Sequence, residues 1–323
     1  MVTWHSGPEL PECLSSLAEA RRRCGRSGSE VELVLVDNAS PGFRSELVSA
    51  HWPDSRIVIN GSNRGFGPAA NQGIELSHAP AVLLLNPDTR AVGDPFSSLL
   101  RGFSAHQEAV ALAPRLAEAD DNPGETQRSF QLRHLPTWGQ ALRELMLVDK
   151  IWPANRWLRR DRYLDRDRTA GFSVQQPAAA ALAVRREVLT ACGGFDERFV
   201  PAWFEDVDLC ARLAQFGDLR YWPDAVFEHQ GGVAARGLGY DRFLPIYYTN
   251  AVRYWRKHHG AAAARLFGFL VVAGMLLRLA ALPLRRELPR GRREAARAYG
   301  RVMKRTLLGS IGVDRSLDLQ SIG

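Results

Sequence analysis

A layered α/β domain is the fold class this sequence predicts, on three observations. Short apolar runs alternate with helical segments through the first two-thirds of the chain. Those runs stop at polar clusters, around Asp37, Asn86 and His229, as expected where the strands of an open α/β sheet deliver side chains to a crevice at their carboxyl ends. A further cluster, Trp203-Phe204-Glu205-Asp206-Val207-Asp208, places three acids beside aromatic residues at the mouth of a helix. Like charges this close cost free energy unless a cation, a proton or a reacting group compensates, so this cluster marks the chemistry.

At 323 residues and 46% hydrophobic, the chain holds one large domain or two ordinary ones, with ample core. Met1-Val-Thr-Trp4 is the remnant of a first strand. Residues 31–36 form a buried strand ending at Asp37, 56–59 a second, and 81–85 a third ending at Asn86. Residues 114–176, rich in Arg, Trp and Pro and weakly periodic, are expected as a variable loop region over the active site. The pattern returns with a strand over 178–184, then Arg185 and Arg186 and a helix through Leu189. Two short late strands are expected at 219–222 and 225–227. The four cysteines form no CxxC pair and no leader pattern is visible, which predicts free thiols, no zinc cluster and a cytosolic setting.

Each polar cluster has two readings. Asp37-Asn38-Ala39-Ser40 suits a nucleotide base or ribose, and equally a turn and helix cap. In Asn63-Arg64-Gly65-Phe66-Gly67, glycines let the backbone approach a ligand and Arg64 can neutralise a phosphate, but the third glycine of a dinucleotide fingerprint is missing, which excludes nicotinamide binding. Asn86-Pro87-Asp88 is either a strand-ending turn or part of a hard-cation site, since Mg²⁺ or Mn²⁺ takes oxygen ligands and keeps phosphates in its shell. His229 is either a capping residue or a further metal or phosphate contact. For the acids, the competing account is helix capping, with Asp208 and Arg212 as a surface i,i+4 pair.

In order and spacing, Asp37 to Ser40, Asn63 to Ile74, Leu84 to Asp88, Gly193 to Glu197, Phe204 to Cys210, Arg212 and His229 resemble family 2 glycosyltransferases of the GT-A fold, nearest the rhamnosyltransferase-like branch. The resemblance implies a Rossmann-like three-layer α/β/α sandwich with a mixed, mostly parallel sheet over residues 1–258, followed by a helical segment over 259–323. It implies that Asp37, with Asn38 beside it, reads the nucleotide base, and that Asn63, Arg64 and Gly65 lie near ribose and diphosphate. Asn86 stands at the first position of the family's DxD element and Asp88 at the last, so Asp88 and His229 would hold Mg²⁺ or Mn²⁺. Asp206 matches the general base, Glu205 supports it, and Trp203 and Asp208 belong to the acceptor side. Two departures, Trp4-His5 where the family has Asn and Ala179 where the branch places Gly, bear on substrate identity.

The implied activity is an inverting, metal-dependent transfer of rhamnose or another hexose from a nucleotide-diphosphate donor to a glycan or polyprenyl-linked acceptor in cell-envelope polysaccharide assembly. Asp206 takes the acceptor proton; the field of Glu205 and Asp208 raises its pKa while a nearby metal pulls it down, and the sequence leaves open which wins. The alternatives are a sugar nucleotidyltransferase, for which Trp4 to Pro8 lacks the Gly-rich, Arg- and Lys-bearing loop, and an inactive membrane-peripheral binding protein.

The net charge of +7 is concentrated beyond Arg253, with Arg285, Arg286, Arg290, Arg292 and Arg293 following an apolar run over 266–277. A spanning helix needs ~20 apolar residues for a ~30 Å core, so this run is expected to lie on the inner membrane surface at its cytoplasmic face, attracted to anionic lipid; the competing account is a C-terminal helix packed on the domain with a solvated basic face. Nucleic acid is not expected as a partner, because the basic residues are not interleaved with aromatics.

Overall fold

A computed structural model describes residues 1–25, 31–118, 130–229, 239–284 and 291–308. Arg285, Arg286 and Arg290 of the basic segment lie outside the described residues. The chain runs β1 (Val2–Thr3), α1 (Glu9–Arg23), β2 (Val34–Asp37), α2 (Ser45–His51), β3 (Arg56–Ile59), α3 (Phe66–Leu76), β4 (Ala81–Leu85), β5 (Thr89–Val92), α4 (Pro95–Ala105) and β6 (Ala109–Ala117). It continues through β7 (Leu132–Arg133), α5 (Trp138–Leu145), α6 (Val148–Ile151), α7 (Arg156–Asp161), β8 (Phe172–Ser173), β9 (Gln176–Pro177), β10 (Ala181–Arg185) and α8 (Arg186–Ala191). The last elements are α9 (Glu205–Leu213), β11 (Asp218–His229), α10 (Tyr240–Ala280) and α11 (Arg292–Leu307).

Strands β1, β2 and β3 pair in parallel, with Thr3 opposite Asp37 and Asp37 opposite Ile59. Every residue of β2 is buried because both faces are covered. Leu33 and Leu35 join Leu10, Leu14 and Leu17 of α1, while Val34 and Val36 face Gly73 of α3. A second sheet is ordered β4-β10-β6-β11-β5, with β8 on the start of β11. Its β6–β11 pair is parallel and β10 and β5 run antiparallel to their neighbours. The two late strands expected separately are one 12-residue strand. Its pairing with β6 shifts register between Trp222 and Val226, where Pro223 has no N–H to donate.

Residues 130–176 are not a loop. A capping box between Thr137 and Gln140 starts α5, and the Asn155 side chain accepts from Leu158 N–H to start α7. These helices run only 4–8 residues, too short for a helical repeat to show.

The C-terminal segment is not an appendage either. The expected boundary at 258/259 falls inside α10, whose helical path breaks at Gly260 (φ 86°, ψ 174°). That break folds the second half back, so Trp255 stacks on Phe267 with ring centroids 5.2 Å apart. Leu145 of α5, Phe204, Trp255, Phe267, Val271, Met275 and Tyr299 then share one apolar cluster. Between 241 and 280 the helix is long and apolar enough by composition to cross a membrane, yet 33% of its most apolar window is buried inside the protein.

Candidate active site

On the nucleotide side, Asp37 ends β2 fully buried. Its Oδ2 accepts from Ser40 N–H at 3.0 Å, so the turn is real, while Oδ1 accepts no hydrogen bond. A buried acceptor left open is costly, and an imide N–H of a base would satisfy it. Asn38 and Asn63, expected as ligand contacts, also hold the loop together. Asn38 Nδ2 donates to Asn63 Oδ1 at 2.7 Å and Gly65 O at 3.2 Å, and its Oδ1 accepts from Asn60 Nδ2 and Arg64 N–H. Asn63 Oδ1 also accepts from Gly65 N–H at 2.9 Å.

Gly65 has φ 89°, and a Cβ there would stand 3.1 Å from Pro201 O. Only glycine fits both demands. The next residue, Phe66, donates its N–H to Pro201 O at 3.0 Å, tying the nucleotide loop to the loop before the acids. Arg64 is exposed at the rim. His5 N–H donates to Ser40 Oγ at 2.9 Å, so the departure at Trp4-His5 closes onto the Asp37 turn.

Asp88 and His229 come together as the sequence expected. His229 pairs with Thr89 across β5 and β11, and its Nε2 lies 3.3 Å from Asp88 Oδ1, which takes no hydrogen bond. Among the described residues no three metal-ligating side chains cluster. The donor set is therefore one carboxylate and one imidazole, which suits a divalent cation that draws the rest of its shell from a diphosphate. Asn86 N–H donates to Ala180 O at 2.9 Å. The backbone N–H of the adjacent Ala179 lies near enough to the Asp206 carboxyl to help hold its pKa down. One backbone segment therefore adjoins both the Asn86-to-Asp88 strand end and the acid cluster.

The acids divide into unlike environments. Burial and then the charge of Asp206 push the Glu205 carboxyl well above its usual range, and its Oε2 takes no hydrogen bond. Burial also raises Asp206, against the pull of Arg133 and of backbone N–H groups including Val207 at 2.8 Å. Desolvation is therefore the cause, and the expected field of Asp208 is not. Asp208 is completely buried, not a surface pair and not open to an acceptor. Its carboxylate meets Lys257 Nζ at 2.6 Å, His258 Nε2 at 2.8 Å and Arg212 Nε at 2.8 Å.

Trp203 and Phe204 precede α9 with φ of 70° and 71°, a left-handed conformation that costs a non-glycine residue ~1–3 kcal/mol. Buried Asn250 of α10 holds it there: Nδ2 donates to Ala202 O at 2.9 Å and Trp203 O at 3.0 Å. The Trp203 ring packs edge-on against Phe243 at 4.7 Å.

This geometry agrees with the comparisons. The chain matches the profile described as "Glycosyl transferase family 2" over residues 1–190. It is 30% identical over 243 residues to the N-acetylglucosaminyl-diphospho-decaprenol L-rhamnosyltransferase of Mycobacterium tuberculosis, covering 71% of this chain and 74% of that protein. The chain belongs to glycosyltransferase family 2.

The fold of this family 2 glycosyltransferase is the GT-A fold expected. It superposes on S. aureus TarS with TM-score 0.52 at 14% identity, covering 89% of this chain and 45% of TarS. GalNAc-T7 with UDP, GalNAc and Mn²⁺ gives 0.55 at 14%, covering 99% of this chain and 56% of that one. The Pyrobaculum calidifontis mannosyltransferase PcManGT with GDP-Man and Mn²⁺ gives 0.52 at 15%, covering 96% and 86%.

Sequence reasoning missed Asn250, Lys257 and His258 of this glycosyltransferase. They sit in a helix about 45–50 residues past the groups they hold, the Ala202 and Trp203 carbonyls for Asn250 and Asp208 for the other two, where nothing local distinguishes them. Asn71 was visible only as part of a motif: its side chain pairs with both Phe195 N–H (2.8 Å) and Phe195 O (2.9 Å). A Cβ on Gly194, φ 64°, would stand 2.6 Å from Asn71 Oδ1.

Proposed function

We propose that this glycosyltransferase moves rhamnose or another hexose from a nucleotide-diphosphate donor to a polyprenyl-diphosphate-linked N-acetylglucosamine, with inversion and with Mg²⁺ or Mn²⁺. What carries the reading is the Ala179–Ala180 segment, which receives Asn86 N–H two residues before Asp88 and sets the Ala179 N–H near the Asp206 carboxyl, so that donor and base would share one crevice. The acceptor class is taken from the relative in M. tuberculosis.

Asp37 receives the base N–H, and Gly65 and Arg64 face ribose and diphosphate. Asp88 and His229 would hold the cation, which when bound neutralises charge on the departing diphosphate. Asp206 accepts the proton of the acceptor hydroxyl as that oxygen bonds to the anomeric carbon from the face opposite the donor diphosphate. The anomeric carbon–oxygen bond breaks, the nucleoside diphosphate leaves with its electron pair, and configuration inverts. Trp203, partly exposed beside Asp206, lines the acceptor side.

Purified protein, a panel of nucleotide sugars and farnesyl-diphospho-N-acetylglucosamine test this directly. One nucleotide sugar is expected to give product in Mn²⁺ or Mg²⁺, with transfer lost in EDTA and restored by added metal. Mn²⁺ together with the nucleoside diphosphate is expected to raise the melting temperature of wild type but not of Asp88→Ala. Product formed undiminished in EDTA would remove the metal from the mechanism, and no product from any donor would remove the function.

The same reading places the protein at the cytoplasmic membrane surface. Leu266, Phe269 and Leu276 of α10 are exposed, Phe269 at 66%, and exposed Arg292, Arg293 and Arg297 start α11. Deleting residues after 260 would cut through the core, so surface changes are the better probe. Leu266→Asn with Phe269→Asn is expected to reduce co-sedimentation with anionic vesicles while the melting temperature holds; unchanged sedimentation would reject this surface.

A further inference from the structure

We propose that Arg133 and Arg162 form the binding site for the diphosphate of the lipid-linked acceptor, a proposal that rests on the acceptor class given above. Arg133 ends β7 and Arg162 follows α7. His134 N–H donates to Asp161 O at 2.8 Å, joining the residue after Arg133 to the residue before Arg162. The two guanidinium groups share one aromatic neighbour. Both lie over the ring of Phe130, with Cζ 4.9 Å and 5.2 Å from its centroid.

The acids that act on the pair do so from a distance, Asp206 and Glu144 on Arg133 and Asp149 and Glu144 on Arg162. Both side chains are half-buried, and among the described residues neither makes an ion pair with a carboxylate. The nearby acids have other surroundings: Asp149 and Asp161 both pair with Arg143, Asp149 also accepts from Asn155 Nδ2 at 2.9 Å, and burial raises the Glu144 carboxyl, whose Oε1 accepts from Tyr248 OH at 3.5 Å. Arg133 Nε donates only to Phe130 O, at 3.3 Å. Burial and then the charge of Arg133 pull the Arg162 guanidinium below its ordinary value. Two adjacent, partly desolvated cations are unfavourable until an anion joins them, and paired guanidinium forks match the oxygens of a diphosphate.

Position selects which diphosphate. Arg133 pairs with Gln176 in the β7–β9 ribbon, and Ala178 N–H donates to Gln131 O at 2.8 Å. The backbone of the next residue, Ala179, lies near the Asp206 carboxyl, and the charge of Arg133 itself acts on that carboxyl. Arg133 therefore lies on the base's side of the crevice, whereas the donor diphosphate is assigned to Arg64, Asp88 and His229. In a lipid-diphosphate-linked monosaccharide the attacking hydroxyl and the diphosphate sit on the same pyranose ring. An acceptor whose hydroxyl meets Asp206 must place its diphosphate one ring away, and this is the cation pair beside that base. The neighbouring α6–α7 surface exposes Ile151 (81%), Trp152 (55%) and Trp157 (43%) among Lys150, Arg156 and Arg159, a composition suited to the bilayer interface from which a lipid tail would enter.

Two probes separate the outcomes: farnesyl-diphospho-N-acetylglucosamine, and octyl N-acetylglucosaminide, which carries the same sugar without the diphosphate. Wild type is expected to prefer the first in kcat/KM. The double variant Arg133→Gln with Arg162→Gln should reduce that preference about tenfold or more with donor KM unchanged, and Arg162→Lys should fall between. An equal fall for both probes, or a raised donor KM, overturns the proposal. So does wild-type transfer with no preference, which leaves the proposed function standing. Equilibrium binding of the diphosphate probe without donor gives the converse separation. Binding by wild type and not by the double variant, with no sugar transferred from any donor, would keep this site and remove the function. Should the double variant fail to fold, Arg162→Lys alone carries the same comparison.

Discussion

Asp206→Asn is expected to lower sugar transfer by about 10²–10⁴-fold, the usual worth of a general base. Nucleotide binding should persist, because Asp37, Arg64 and Asp88 stand on other strand ends. The pH dependence of wild type should carry the same signature. Burial raises the Asp206 carboxyl, and Arg133 and backbone N–H groups offset only part of that. A base works deprotonated, so kcat/KM should climb with pH through a limb lying above the ordinary aspartate value of about 3.9. That limb should vanish in Asp206→Asn. Full transfer by the variant, or an unchanged acid limb, would assign the base elsewhere.

Asp208→Ala should destabilise the fold by about 3–5 kcal/mol, because it leaves Lys257, His258 and Arg212 around a buried site without their carboxylate. Urea unfolding of both proteins measures the difference. The sign of its pH dependence follows from the direction of the shift. Burial works to raise the Asp208 carboxyl, but hydrogen bonds from His258 and Lys257 and the charge of Arg212 outweigh it, and the net shift is downward. A carboxyl depressed in the folded state contributes stability that is present above its unfolded pKa and lost as pH falls through the folded one. The gap between wild type and Asp208→Ala should therefore hold at neutral pH and narrow below about pH 4. Equal stability at pH 7 would show that the cationic cluster does not depend on this acid. Lys257 also reaches Asp196 Oδ2 at 2.7 Å, so the same contact pins the start of α9, and Asp206 with it, to α10.

Strands and strand ends were legible because their signals are local. Residues 56–59 and 81–85 were read with the bounds the structure gives them, and Asp88 and His229 were matched from family motifs at two strand ends that the sheet then brings to 3.3 Å. Where short helices replaced long ones, as over 138–161, periodicity had too few turns to register. The partners of Asn38, Asn63 and Asp208 were not legible for a different reason. Each of these three residues lies inside or beside a recognisable motif, but what a polar side chain does depends on which partners saturate it, and those partners are 2 to 50 residues away.

The sequence by itself determined the α/β class, the family, and which residue types stand at the strand ends, because alternating apolar runs and ordered motifs are properties of contiguous chain. Only the tertiary structure decided which acid is available for chemistry. Asp206 and Asp208 are two residues apart, and burial raises one while hydrogen bonds from His258 and Lys257 and the charge of Arg212 hold the other down. Electrostatic environment is set by what packs across space, and here the deciding charges come from a helix that local sequence reads only as a basic, apolar tail.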